Sequence, residues 1–214
     1  MARIASSSPM YSICGSARRQ LTPWCTSLVI ITSSPPHADQ TIGVMGSGTE
    51  PWTELAEPLG RWIAENGYNL LTGGGQGVML SVARGFCSVS PRTGRSIAIV
   101  PTRADPVAGF VPLDGYPNRF VDLPIITPLP RHDAGVPPNR ASRNHVNVLS
   151  SDVIVALPGG HGTADEISLA RRWRKPLVCV GPASAFARIG YTDECVSCVD
   201  GVARFIASVL AEPA

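Results

Sequence analysis

Apolar residues in this chain fall in short, nearly unbroken runs rather than in alternation with polar ones. They occupy 41–45, 69–71, 96–100, 120–123, 152–157 and 177–180. A strand with one wet face alternates apolar and polar side chains, whereas a strand covered on both faces can be apolar throughout. The runs therefore predict strands of a parallel sheet with helices on both sides.

Between the first two runs, Leu55, Leu59, Trp62 and Ile63 recur at helical spacing, and Asn66-Gly67 supplies a helix stop. Pro58 lies inside that pattern and predicts a kink, or a helix that begins near it. Residues 77–85 read as a short helix between two glycines, and Val202, Phe205, Ile206, Val209 and Leu210 trace an amphipathic helix near the end. Strand-like runs alternating with helices predict an α/β fold: a three-layer, doubly wound, Rossmann-like and mostly parallel sheet. Pro101, Pro106, Pro112, Pro117, Pro124, Pro128, Pro130, Pro137 and Pro138 crowd residues 101–138. That stretch is expected to lack long regular elements and to cover a ligand as a lid.

Three glycine-rich turns follow predicted strands. The first contains Gly46 and Ser47, the second Gly74, Gly75, Gly77 and Met79, and the third runs Pro158-Gly159-Gly160-His161-Gly162-Thr163. A strand that breaks on glycines and restarts as a helix leaves main-chain N–H groups pointing outward, which suits a phosphate. None of the turns is a P-loop, because no Lys-Ser/Thr pair follows. Together they mark the carboxyl edge of a parallel sheet, where such folds bind ligands.

Two charged residues are candidates for chemistry at that edge. Arg143 shares a helix face with Arg140, Asn144 and Asn147, while Ala141, His145, Val148 and Leu149 take the other face, with His145 expected to pack. Glu166 follows the third turn. Thr163-x-x-Glu166 also reads as a capping box, in which Thr163 caps a helix and Glu166 merely stabilises its start. His161 among glycines is read as a surface or base-stacking contact rather than a general acid.

Composition narrows the picture. Charged residues are 16% of the chain and hydrophobic ones 44%, which suits a globular domain. Arg3, Arg18 and Arg19, with no acid before Asp39, exceed the whole chain's net charge of +2, so the remaining body is slightly acidic. No basic stripe is present, and nucleic acid is not expected as a partner. Residues 1–40 superficially suit a transit peptide, but a poorly ordered extension ahead of one domain at 41–214 is preferred. No run approaches a membrane span. The six cysteines are scattered and Cys195-x-x-Cys198 lacks a second ligand pair, so neither disulfides nor a metal site is expected, and a cytoplasmic location is.

The glycine pattern Gly73-Gly74-Gly75-x-Gly77-x-Met79, followed by Pro158-Gly159-Gly160-x-Gly162-Thr163-x-x-Glu166, resembles the LONELY GUY (LOG) family and its relatives, the molybdenum-cofactor carrier proteins. The resemblance spans roughly residues 41–180. It implies a nucleoside 5′-monophosphate phosphoribohydrolase that frees base and ribose 5-phosphate, needs no cofactor and assembles at least as a dimer. It also implies that Arg143, fifteen residues before Pro158, pairs with Glu166 in catalysis. Ser142 and Asn144 stand where LOG proteins carry Glu and Lys, and His161 replaces their usual aromatic, so a non-catalytic carrier or nucleotide sensor stays open. In either case the implied partner is a nucleotide or another phosphate-bearing small molecule. The older label of these proteins, lysine decarboxylase, would need a lysine for a Schiff base. Lys175, the only lysine, precedes Pro176 at the wrong edge of the sheet.

Overall fold

A computed structural model of the protein describes residues 37, 39–129, 141–191 and 193–211. Most of the expected extension, and Arg140, lie outside these residues. The chain runs β1 (Thr41–Met45), α1 (Thr53–Glu65), β2 (Asn69–Thr72), α2 (Val78–Cys87), β3 (Ser96–Val100), β4 (Thr102–Asp105), β5 (Gly109–Pro112), β6 (Leu123–Ile126), α3 (Arg143–Leu149), β7 (Val153–Ala156), α4 (His161–Arg172), β8 (Leu177–Val180), α5 (Ala183–Ala187), β9 (Cys195–Val196) and α6 (Val199–Leu210). Seven strands form one sheet in the order β6-β3-β2-β1-β7-β8-β9, and every pairing in it is parallel.

The doubly wound expectation holds, and β7 shows its physical basis. Val153 and Val155 enter the core cluster built with α1, α2 and α6, while Ile154 and Ala156 enter the clusters built with α3, α4 and α5. All four are fully buried. The two valines and the isoleucine each contribute on the order of 1.5–3 kcal/mol when removed from water. From β1 the chain winds one way through β2, β3 and β6 and the other way through β7, β8 and β9. The crevice outside the carboxyl ends of β1 and β7 is therefore the topological switch point.

Several elements differ from the sequence expectation for identifiable reasons. Helix α1 begins at Thr53 and passes through Pro58 without a break. The carbonyl that loses its partner there is that of Glu54, an exposed residue in the first turn. The strand expected at 120–123 is instead Leu123–Ile126, and it contains Pro124. It forms an edge of the sheet, where a residue without an N–H is tolerated. The proline-rich segment also folds a hairpin, β4 on β5. Its turn closes through Asp105 Oδ1, which accepts the main-chain N–H groups of Val107 and Ala108 at 2.9 and 2.8 Å.

Helices α1 and α2 approach closely because Gly60 and Gly85 face main chain. A Cβ on Gly60 would stand 2.0 Å from the Val82 carbonyl oxygen, and one on Gly85 would stand 2.1 Å from that of Glu57. Backbone cannot yield as a side chain can. Gly60→Ala is therefore expected to push the helices apart and cost about 1–3 kcal/mol of stability, read as a lowered urea midpoint with unchanged slope. An unchanged midpoint would contradict the close packing.

Candidate functional site

The three glycine turns meet through one residue. Ser47, buried after β1, donates its N–H to the Pro158 carbonyl at 3.2 Å and accepts the Val78 N–H on its own carbonyl at 2.9 Å. Its hydroxyl meanwhile accepts the Glu50 N–H at 2.9 Å, closing the turn after β1. Gly77, with φ 62°, precedes α2, and a Cβ there would lie 2.4 Å from the Ser47 carbonyl oxygen. Only glycine allows both that backbone angle and that approach.

These turns wall a cleft of about 270 Å³ at the carboxyl edge. Of the expected binding residues, Gly46, Ser47, Met79, Gly160, Gly162 and Thr163 line it, as do Arg143 and Glu166. Gly74, Gly75, Gly77 and Gly159 lie behind the lining and shape its turns. His161 is exposed as the first residue of α4 and does not line the cleft. Residues the sequence reading did not select also line it, notably Thr49, Tyr116 and Asn144.

Helix α4 begins at His161, and its first helical bond runs from Ala164 N to the Gly160 carbonyl at 3.0 Å. The N–H groups of His161, Gly162 and Thr163 thus belong to a first turn with no carbonyl behind it. A Cβ built on Gly160 or Gly162 would meet nothing within 4 Å, and both residues line the cleft. The macrodipole of a 12-residue helix adds positive potential there.

This start corrects the expected capping box. Thr163 sits inside the first turn rather than at the cap, which is Gly160. Thr163 is buried, because its hydroxyl fills the space beneath Gly159, and Glu166 turns away from the helix start. A reciprocal cap does occur in α3, where the Ser142 N–H donates to His145 Nδ1 at 3.1 Å and His145 N–H donates to the Ser142 carbonyl at 3.1 Å. His145 therefore caps a helix where packing was expected.

Helix α3 buries its polar face together with Val148. Arg143, Asn144 and Asn147 are buried, whereas Leu149 is 45% exposed. Polar groups wait beneath the helix. Arg143 Nη1 donates to the carbonyls of Gly73 and Ile99 at 3.0 and 3.1 Å, capping the ends of β2 and β3. Asn144 Nδ2 donates to Asp165 Oδ2 at 2.8 Å and Asn147 Nδ2 to Glu166 Oε1 at 3.2 Å, so two amides of α3 hold two acids of α4.

Glu166 is 8% exposed. Burial disfavours its charge and pushes its pKa up to about 7; the Arg143 guanidinium and the Asn147 bond oppose the rise, and Asp165 adds to it. The carboxyl thus changes charge near neutrality. Lys175 lies far from this chemistry in topology: it precedes β8 at the amino edge and donates Nζ to the Ser151 carbonyl at 2.7 Å. No group of three His, Cys, Asp or Glu side chains among the described residues is arranged to hold a metal. Among them, too, no helix is long and apolar enough to cross a membrane.

A model of the SLOG cluster4 family matches residues 39–204. The chain belongs to the SLOG cluster4 family. This SLOG cluster4 chain is 34% identical to an uncharacterized protein of Archaeoglobus fulgidus over 143 residues, which are 66% of the chain and 80% of that protein. It is similar to the molybdenum cofactor binding protein of Rippkaea orientalis, with 30% identity, a TM-score of 0.59, and coverage of 80% of the chain and 98% of the other. The molybdenum cofactor carrier protein of Chlamydomonas reinhardtii gives 29% identity, the same TM-score of 0.59, and coverage of 81% and 99%. The resemblance read from the glycine motifs is thus borne out at the level of family and fold.

One expectation is overturned. DNA processing protein A of Helicobacter pylori, whose structure concerns single-stranded DNA binding, shares the fold at 15% identity and a TM-score of 0.55, covering 80% of the chain and 81% of its own. The architecture therefore does not exclude nucleic acid as a partner, and a near-neutral net charge was too weak a ground for doing so. Phosphates can be gripped locally by main-chain donors, without a basic stripe.

The buried acid has a thermodynamic signature. Glu166 carries a folded pKa of about 7 against an ordinary 4.5. Between those values the folded state keeps a proton that the unfolded chain has lost. Stability should accordingly fall as pH rises from about 5 to about 7 and level off above, a loss of up to about 3 kcal/mol. Glu166→Gln removes this slope. Thermal unfolding in pH steps should show the variant more stable than the parent at pH 8 and the two converging near pH 4.5. Parallel curves for parent and variant would refute the raised pKa.

Proposed function

We propose that the protein is a phosphoribohydrolase that cleaves the N-glycosidic bond of a nucleoside 5′-monophosphate, with the phosphate seated on the first turn of α4. The observation that carries this reading is Glu166: a carboxyl buried in the wall of a phosphate-suited cleft, with a pKa near 7. A buried acid is costly, and such groups concentrate where chemistry needs them. In its ionised form Glu166 takes a proton from a water that attacks C1′ of the ribose. The bond from C1′ to the base nitrogen breaks, and the base leaves with a proton from solvent. Arg143, pinned on the Gly73 and Ile99 carbonyls, sets the field around the carboxylate and the developing charge.

The base must be ionised to act, so kcat/KM for AMP should rise with pH through about 7. Chromatography of AMP after incubation with the protein should show free adenine and ribose 5-phosphate. Glu166→Gln should slow base release by about 10²-fold or more while AMP still binds. A Gln variant as fast as the parent would remove Glu166 from the mechanism.

The phosphate seat has its own test. Gly162 faces open space at the start of α4, so Gly162→Asp fits sterically and suits the helix dipole. It should leave the melting temperature unchanged or slightly raised, yet weaken ribose 5-phosphate about tenfold or more in calorimetry, by placing a carboxylate where the phosphate sits. Unchanged affinity would place the phosphate elsewhere.

A second reading is favoured by a specific observation. Both molybdenum cofactor proteins named above match along nearly their whole length at about 30% identity. A carrier would use the same phosphate seat without chemistry. Tight binding of a pterin phosphate with no release of adenine from AMP would decide for it.

A further inference from the structure

Tyr116 lines the cleft, and neither the phosphate seat nor the acid–guanidinium pair makes use of it. Its placement is built into the fold. Asn118, 4% exposed, donates its main-chain N–H to the Gly74 carbonyl at 2.7 Å and Nδ2 to the Gly75 carbonyl at 2.9 Å. Gln76 Nε2 donates to the Gly115 carbonyl at 3.3 Å. These bonds clamp the 115–118 turn onto the glycine turn after β2. The tyrosine ring then lies over the bare Cα of Gly75, where a Cβ would come within 2.8 Å of Tyr116 Cε1 and 2.8 Å of Met79 Cε. Met79 Sδ in turn receives the Gly75 N–H at 3.3 Å.

The result is a wall of an aromatic ring and a thioether, held against main chain, in a cleft whose one other apolar stretch is Val44 and Met45 at the end of β1 and whose remaining lining is glycine, hydroxyl, amide and charge. Aromatic and thioether groups share affinity for flat π-systems. A phosphate on α4 leaves the rest of its ligand to reach another part of the same cleft. We propose that Tyr116, backed by Met79, is the specificity-determining wall on which the ligand stacks a planar nitrogen heterocycle, a nucleobase or a pterin. This rests on the reading that the phosphate sits on α4.

Calorimetry with ribose 5-phosphate, AMP and a pterin phosphate tests it, in the Glu166→Gln background so that turnover does not consume AMP. The unsubstituted wall should bind at least one ring-bearing ligand more tightly than ribose 5-phosphate, and the tighter of the two identifies the heterocycle. Tyr116→Ala should weaken that ligand about tenfold or more and leave ribose 5-phosphate unchanged, which also certifies the fold. Tyr116→Phe should bind like the parent, and Tyr116→Leu, which keeps bulk over Gly75 without an aromatic face, like Tyr116→Ala. If Tyr116→Ala and Tyr116→Leu keep full affinity for the ring-bearing ligand, or lose ribose 5-phosphate equally, the stacking role is refuted while the phosphate seat stands. If no ligand binds the parent, the phosphate seat falls and the stacking wall with it.

Discussion

The site exists because one residue satisfies three turns at once. Each strand end at the carboxyl edge leaves main-chain groups that need partners, and a buried unpaired N–H or C=O costs a few kcal/mol. Ser47 spends its N–H on the turn after β7, its carbonyl on the turn before α2 and its hydroxyl on its own turn. The glycines of the other two turns are consequences of that arrangement. Gly77 must let the Ser47 carbonyl approach, and Gly159 must leave room for both the Ser47 N–H and the Thr163 hydroxyl.

Charge in the cleft is held by a guanidinium and by amides together. Arg143 is committed to two strand-end carbonyls, and two asparagines of α3 hold two acids of α4. Burial outweighs both the Arg143 guanidinium and the Asn147 amide at Glu166, and its pKa rises. The same bonds fix α3 to α4 and to the sheet edge, so the geometry that tunes the acid is also part of what holds the layer together. Stability is given up at neutral pH for an acid poised to change charge.

Strands β1, β3 and β8 were legible to the residue, because a run apolar on both faces has few other uses. The carboxyl-edge site was legible too, since three glycine turns after such runs can lie only at one edge of a parallel sheet. At the site, what the sequence did not reveal had partners distant in sequence. Arg143 was read as facing the sheet edge, but its partners there, the carbonyls of Gly73 and Ile99, lie 70 and 44 residues away and left no local signal. Thr163-x-x-Glu166 satisfied a local capping rule, yet Asn147, 19 residues back, took the carboxylate. Tyr116 carried a turn signature, Gly-Tyr-Pro-Asn, but nothing local said that Asn118 would fasten that turn onto Gly74 and Gly75.

The departure from the LOG pattern at position 144 bears on the chemistry rather than merely loosening the resemblance. LOG proteins carry lysine after the arginine, and a lysine in place of Asn144 would bring a second cation to Asp165 beside Glu166. Asp165 raises the pKa of Glu166 and accepts a hydrogen bond from the Asn144 amide. A cation there would offset that charge and pull Glu166 back toward the ordinary carboxylate range. Asparagine therefore leaves the acid closer to neutral than the family's own pattern would. The substitution that makes this chain look like a carrier therefore bears on the charge of Glu166, whose pKa is raised first by burial and further by Asp165.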